Sequence, residues 1–499
     1  MFYIRTVKTA SSSFAVQVIR YQNRKRIIVK HIGSARTQEE ILSLKHTAEM
    51  WIERETKQQR LFPVEKKEIK TLIPIDKLRN LGFRYTFAYE VLMRILRLMQ
   101  FHTLKNQLLL DFALMRIIQP ASKLESLELL SELFGIKHNR AHFYRNIPAI
   151  ISLKEAVEAK SIMFAKKQFS FDFSIIFYDV TTLYFETFRE DEEAFRKTGF
   201  SKDNKANQPQ IVIGLIVTHD GFPVSYDIFE GNTFEGKTFI PTITKFKETY
   251  AITTLTVVAD AAMISLPNIQ KLTQNNLSYI VGARVANLKR DQILEISERL
   301  NKVDGDSIRI GTERGLLVCD FSAKRYRQDK LTMEKQITKA RRLIEEKEGL
   351  KRTKFIKNIG KTKQEINSDL IEKTKLLLGI KGYYTNLVGE TNDTILKHYR
   401  NLWRVEQAFR IAKSDLATRP IYHFKKQTIE AHILICFVAL AVCKYMELKT
   451  ARSTKAIIKL LKKVTDARIL NILTNEEIVI RSELSDEVQQ LLKTLSLQH

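Results

Sequence analysis

Two short apolar runs, SIIFYD at 174–179 and TLTVVAD at 254–260, each close on an aspartate. Runs of Ile, Val and Phe this short, bounded by polar residues, read as buried strands. A carboxylate placed there is expensive unless it is paired, hydrogen-bonded or bound to a metal. Singly, Asp179 or Asp260 reads as a cap or turn residue; two such strands in one α/β unit weaken that reading.

The surrounding pattern constrains the fold. PQIVIGLIVT (209–218) and FPVSYDIFEG (222–231) read as a hairpin about His219-Asp220-Gly221. A helix near 236–250, the second aspartate-ended strand, a helix from Ser265 to Asn275 and the strand SYIVGA (278–283) follow. Three meandering strands, then parallel strands alternating with helices, give the α/β order of a ribonuclease H-like core, expected over 168–284 and 391–449. Residues 285–390 interrupt it as an α+β insertion domain. Between Lys324 and Lys363, 15 Lys/Arg stand against 5 Asp/Glu, which alone reads equally as a solvated helical face.

Upstream, residues 1–36 read as a small β-sheet with a hairpin turn at Gln22-Asn23-Arg24-Lys25, where Val16 and Val18 alternate with Gln17. Residues 37–167 carry helical periodicity, with breaks at Phe62-Pro63, Gln119-Pro120 and Ile147-Pro148. Residues 450–499 read as two or three amphipathic helices.

Composition limits the partners. The chain of 499 residues carries 82 Lys+Arg against 56 Asp+Glu, a net charge of +26 that suits a polyanion. A hydrophobic fraction of 44% excludes a wholly disordered basic binder. Cys319, Cys436 and Cys443 are too few and too scattered for a disulfide framework or a cysteine zinc site, so a reducing cytoplasm is expected. No signal peptide is read at the N-terminus. The apolar run Ile433 to Cys443 is shorter than the roughly 20 residues needed to cross a bilayer and reads as a buried helix, so no membrane partner is expected.

The segment YRNLWRVEQAFRIAKS adds a third acid. Tyr399, Glu406 and Lys413 recur every seven residues, which in an ideal helix leaves only about 20° of drift per step. Trp403 and Arg410 fall within roughly 40° of the same stripe. An acid, two cations and two aromatics on one face are unlike a hydrophobic seam. The plain alternative is a surface ladder pairing Glu406 with Arg410.

Asp179 in YDVTTLYFET, Asp260 in VVADAAM, and Glu406 between Tyr399 and Lys413 resemble the DDE transposases of bacterial insertion sequences. The nearest branch has a β-rich insertion ahead of the glutamate. The stretches Gly199-Phe200-Ser201-Lys202-Asp203, Pro209-Gln210 and Gly231-Asn232-Thr233 are similar to that family as well. The resemblance implies that Asp179, Asp260 and Glu406 are the catalytic metal ligands, holding two Mg²⁺ ions about 3.5–4 Å apart, with Mn²⁺ able to substitute. It further implies double-stranded DNA as partner, both terminal inverted repeats and target, with a homodimer in the DNA complex. The region 37–167 is expected to bind the DNA ends. Tyr399, Trp403, Arg410 and Lys413 are expected to face DNA.

In the family's Tyr-x2-Arg-x3-Glu-x6-Lys pattern the arginine position is Leu402 here. Arg400 and Arg404 flank it but point away in an ideal helix. An arginine at position 402 is expected to be tolerated if the stripe faces DNA. The only tryptophans are Trp51 and Trp403, so a base-flipping tryptophan in the insertion is missing, although Tyr326, Phe355, Tyr383 or Tyr384 could stack on a base. A catalytically silent DNA-binding descendant and a structure-specific nuclease are the competing readings.

Overall fold

The computed structural model describes residues 2–10, 13–56, 75–190, 195–205, 207–263, 265–345, 354–359 and 363–497. The Phe62-Pro63 break lies outside them, as do parts of the basic 324–363 stretch. Packing divides the chain into two units, one of Met1–Val91, Glu128–Lys137 and Ala456–His499, the other of Leu92–Leu127 and His138–Lys455.

The first unit begins with strands β1 (Phe2–Lys8), β2 (Phe14–Gln22) and β3 (Lys25–Ala35), paired antiparallel in chain order. Asn23 and Arg24 take φ of 48° and 59°, the two-residue turn whose twist matches that of the strands it joins. Val16, Val18 and Ile32 pack with Leu44 and Ala48 of helix α1 (Gln38–Thr56). Strand β4 (Leu78–Arg84) lies in the region read as helical.

Helices α2 (Thr86–Leu98), α3 (Gln107–Ile118), α4 (Lys123–Phe134), α5 (Arg140–Ile151) and α6 (Lys154–Phe169) follow. Helix α3 stops at the Gln119-Pro120 break. Pro148, by contrast, lies inside α5, correcting the break expected there.

The second unit is built on β5 (Ile175–Tyr184), β6 (Gln210–Val217), β7 (Pro223–Glu230), α7 (Glu235–Thr249), β8 (Thr256–Ala259), α8 (Leu266–Gln274) and β9 (Ser278–Ala283). Strands β5, β6 and β7 are antiparallel, whereas β8 runs parallel to β5, and β9 to β8. The order β7-β6-β5-β8-β9 is a ribonuclease H-like sheet.

Helix α9 (Arg290–Arg299), strands β10 (Ser307–Thr312) and β11 (Gly315–Phe321), helix α10 (Ala323–Glu345), the hairpin β12 (Ile356–Ile359) and β13 (Lys363–Ile366), helix α11 (Ser368–Leu376) and strand β14 (Ile380–Thr385) come next. Three of these strands extend the core sheet to eight, in the order β10-β11-β14-β9-β8-β5-β6-β7. The interruption therefore contributes strands to the core sheet instead of standing wholly apart. Helices α10 and α11 and the β12–β13 hairpin gather on a small cluster of Met333, Ala340, Phe355 and Leu378.

Helices α12 (Asn392–Arg400), α13 (Trp403–Arg410) and α14 (Lys426–Thr450) close this unit. Helix α14 is long and apolar enough to cross a membrane, but 94% of its most apolar window is buried within the protein.

After α15 (Thr454–Leu461) the chain forms strands β15 (Asp466–Asn471) and β16 (Glu476–Arg481) before α16 (Asp486–Thr494). This corrects the all-helical expectation for 450–499. DARILN and EEIVIR pair antiparallel around Asn475, whose φ is 55°, and β15 takes β4 as its other neighbour. Arg468 and Glu477 form an ion pair across the hairpin. A pattern read locally cannot reveal a partner strand at the other end of the chain.

Candidate active site

The central strand β5 has neighbours on both sides and buries Phe177 and Tyr178 completely. Asp179 is the next residue and lies mid-strand, because the β-branched run Val180-Thr181-Thr182 continues the strand to Tyr184. On one side Asp179 opposes Leu215 of β6; on the other, Tyr178 is in register with Ala259, the last residue of β8. Asp260 therefore follows at the level of Asp179 on the neighbouring parallel strand. Its carboxylate turns back to accept the Ala261 amide at 2.6 Å, starting a short 3₁₀ turn.

Burial is the main influence on Asp179, whose side chain is 15% exposed, and raises its pKa to about 6. The Lys202 ammonium and the Val180 amide, which donates to Asp179 Oδ1 at 2.7 Å, oppose that rise, while Asp260 and Glu235 add to it. Lys202 Nζ lies 3.9 Å from Asp179 Oδ1 and 2.9 Å from Glu235 Oε1, and it also donates to the Val180 carbonyl.

The third acid is positioned differently from the heptad expectation. Helix α12 ends at Arg400, and α13 starts at Trp403. Between them, Leu402 N bonds Tyr399 O and Arg404 N bonds Asn401 O, both at 3.0 Å, so three-residue turns replace the helical ladder. Beyond Arg410, residues Ile411–Asp415 form a π-helical turn. The 399–413 stretch is thus not one straight helix: Trp403, Glu406 and Arg410 share a face of α13, while Tyr399 and Lys413 fall outside it. Glu406, Trp403 and Arg410 are exposed, Tyr399 is buried and Lys413 is half-buried. Leu402 is only 6% exposed, so the expected tolerance of an arginine there is overturned.

Tyr399 reaches the acids. Its hydroxyl donates to Asp260 Oδ1 at 3.5 Å, and its ring lies 4.4 Å from that of Tyr383. Burial, reinforced by Asp260, Tyr383 and Glu406, pushes its phenol well above the ordinary range. Lys381 Nζ stands 4.9 Å from the Tyr399 ring centroid. Burial and Arg325 lower its pKa, whereas Asp260, Asp320 and Glu406 pull it back up. Both Tyr399 and Lys381 thus feel Asp260 together with Glu406, and α13 packs on β5. Among the aromatics suggested for base stacking, Phe355, Tyr383 and Tyr384 are buried, which removes them from that role.

Gly282 on β9 makes room for this arrangement. A Cβ there would come within 2.5 Å of the Tyr399 hydroxyl and 3.1 Å of the Ala261 amide. Gly282→Ala should therefore cost about 1–3 kcal/mol through overpacking and lift Tyr399 off Asp260. A lower melting temperature together with slower DNA cleavage is the expected result; an unchanged melting temperature would show that the site accommodates the methyl.

Among the described residues, no group of three or more His, Cys, Asp and Glu stands close enough to hold a metal ion. The donor chemistry nevertheless fits a hard cation at the Asp179–Asp260 end. Two carboxylates stand on neighbouring strands, and an ammonium already sits beside Asp179. Lys202, Asp203, Glu235 and Lys381 were not singled out as site residues from the sequence. The only signal was the family-like Gly199–Asp203 stretch.

A family model, the transposase DDE domain, matches residues 170–442. No curated protein matches the chain. Among solved structures, the chain is similar to a cryo-EM structure of a piggyBac transposase synaptic complex with hairpin DNA, at 12% identity and a TM-score of 0.38, over 70% of this chain and 68% of that one. The family match spans more than half of the sequence and contains all three acids, and on that ground the chain belongs to the DDE-domain transposases.

Proposed function

We propose that this transposase binds the terminal inverted repeats of an insertion sequence, cleaves the DNA at those ends and joins the freed 3′-hydroxyls to target DNA. The observation that carries the reading is the pair Asp179 and Asp260, held side by side on parallel strands of a chain with net charge +26. Carboxylates packed together repel and resist ionisation, and a polyanion gains nothing from them unless a cation intervenes.

Asp179, Asp260 and Glu406 would hold two Mg²⁺ ions, or Mn²⁺ in their place. When bound, such ions activate the attacking oxygen and stabilise the leaving one. Tyr399 fixes the Asp260 carboxylate from above, and Gly282 gives it space. Exposed Trp403 and Arg410 offer a stacking face and a phosphate contact beside Glu406. Work on two ends implies a homodimer in the DNA complex, and the cytoplasm of a bacterium is the proposed setting.

The test is incubation of the purified protein with end-bearing DNA and Mg²⁺, scoring nicks and joined products on a denaturing gel. Nicks without joined products would favour a structure-specific nuclease; binding without nicks would favour a silent DNA-binding descendant.

End recognition is assigned to the N-terminal region, with Arg24, Lys25 and Arg26 exposed around the β2–β3 turn. A truncated 1–165 fragment would lack β15, the neighbour of β4, so the full chain is the proper test. Replacing all three residues with alanine should weaken end binding and flatten the dependence of log affinity on log salt by up to about 2.7. An unchanged slope would remove this turn from the DNA interface.

A further inference from the structure

Lys413 does not stand free toward solvent. Its ammonium lies 3.4 and 3.3 Å from the two carboxylate oxygens of Asp203, and its side chain is only 11% exposed. Arg419 joins the same carboxylate, Nη1 to Oδ2 at 2.6 Å. Asp203 is itself 13% exposed, so one inward-facing carboxylate is shared by two cations from the segment that follows Glu406.

The floor of this cluster is the Tyr184 ring. The Arg419 guanidinium lies 5.7 Å from its centroid and Lys205 Nζ 5.5 Å. Ile421 N bonds the Tyr184 carbonyl at 3.0 Å, which fixes the 419–421 segment along the end of β5. Tyr184 is five residues beyond Asp179 on that strand, a span of roughly 16 Å, or about five base steps of duplex. Two cations over an aromatic face and a third, Lys413, on the carboxylate that Arg419 shares, at that distance along the strand that carries Asp179, are a phosphodiester subsite in composition.

The loop supplying Asp203 is tightly held. Ser201 Oγ accepts the amides of Asp203 at 3.3 Å and Lys205 at 3.2 Å, and the Lys202 amide donates to Thr182 Oγ1 at 3.1 Å. The two neighbouring side chains point to opposite partners: Lys202 puts an ammonium beside Asp179 and Glu235, and Asp203 puts a carboxylate between Lys413 and Arg419.

We propose that Lys413, Arg419 and Lys205 form a subsite for a DNA backbone phosphate, and that Asp203 is its internal occupant, a carboxylate standing where the phosphate goes in the DNA-bound protein. The proposal rests on the transposase reading for its ligand. It goes beyond that reading in assigning Arg419 and Lys205 to DNA and in making Asp203 a competitor of DNA. A phosphodiester displaces Asp203 because it offers the same anionic oxygens to the same forked guanidinium and ammonium donors. Each cation released from Asp203 then counts as a phosphate contact in the salt dependence of binding.

The experiment measures binding of a fluorescent duplex to the full-length protein without divalent metal, across a salt series, so that it does not depend on cleavage. Asp203→Asn keeps the shape of the side chain and removes its charge. It should tighten binding several-fold at moderate salt and steepen the log–log salt slope by about one to two. Adding Arg419→Gln to Asp203→Asn should return both quantities toward the wild-type values. If Asp203 is only a structural anchor, Asp203→Asn and Arg419→Gln will lower the melting temperature alike while affinity and slope stay unchanged or weaken, and the proposal is overturned.

Should Asp203→Asn fail to fold, Arg419→Lys and Lys205→Ala provide the same reading. A loss of salt slope of about one for Lys205→Ala at an unchanged melting temperature supports the subsite, and no loss overturns it. Failure of the wild type to cleave end DNA with Mg²⁺ would count against the transposase reading and leave this binding result standing.

Discussion

Asp179→Asn should lose DNA cleavage by about a thousandfold or more while making the metal-free protein more stable above pH 6. The loss follows from removing the carboxylate held most firmly in the sheet, and several kcal/mol of charge stabilisation correspond to at least three decades in rate. The gain in stability follows from burial. The folded pKa of Asp179 is raised to about 6, above the 3.8 of a free aspartate. The folded state therefore holds the proton more tightly than the unfolded chain does.

The carboxylate's penalty is absent below about pH 4, grows as pH rises through the window between 3.8 and 6, and is complete above it. A rise of that size is equivalent to about 2–3 kcal/mol, so the melting temperature of Asp179→Asn should exceed that of the wild type by several degrees at pH 8 and match it at pH 4. Binding of end DNA should survive, because the substitution removes a negative charge beside a polyanion. Normal cleavage by the purified variant would sink the assignment of Asp179. Equal melting temperatures at pH 8 would mean that Lys202 and the Val180 amide already offset the burial.

Asp179 and Asp260 were legible because a buried parallel strand leaves a plain signature: a few β-branched and aromatic residues, then an acid that such an environment would otherwise reject. Even so, the pattern ended β5 too early, since Val180 through Tyr184 continue it. The heptad spacing drew attention to Glu406, but it presumed a straight helix. The three-residue turns at Asn401 and Leu402 and the π turn after Arg410 redirect the side chains. No propensity in RNLWRV announces those turns; the packing of Leu402 and Val405, both buried, goes with them.

Lys202 and Asp203 were harder still. Asp203 meets Lys413 across 210 positions of sequence, and a Ser-Lys-Asp tripeptide reads locally as an ordinary polar loop. The strands β15 and β16 were missed for the same reason, since β15 needs β4 beside it. What composition and period conveyed was the class of the core; what they could not convey was which distant charges the folded chain sets against one another.

The heptad reading and the observed backbone give opposite forecasts for Leu402→Arg, which makes that substitution the sharpest test of the active-site helix. If Leu402 faced DNA, an arginine would restore the family's Tyr-x2-Arg-x3-Glu-x6-Lys pattern and tighten end binding. The side chain is instead buried, at 6% exposure, between two bonded turns: its amide donates to Tyr399 O at 3.0 Å and its carbonyl accepts the Val405 amide at 3.1 Å.

Long side chains can carry a charge out to water along an apolar surface. Here, however, Val405 is fully buried and Tyr399 nearly so, which leaves the guanidinium without a short route out. An unpaired buried charge costs about 3–5 kcal/mol, and the expected outcome is a melting temperature lower by roughly 5 °C. Glu406 is four residues further on in α13 and should shift with it, so cleavage at permissive temperature should fall more than end binding does. Leu402→Met, which keeps volume and polarity, should cost less than about 1.5 kcal/mol and retain cleavage. A Leu402→Arg protein with unchanged melting temperature and tighter binding to end DNA would restore the uninterrupted DNA-facing stripe.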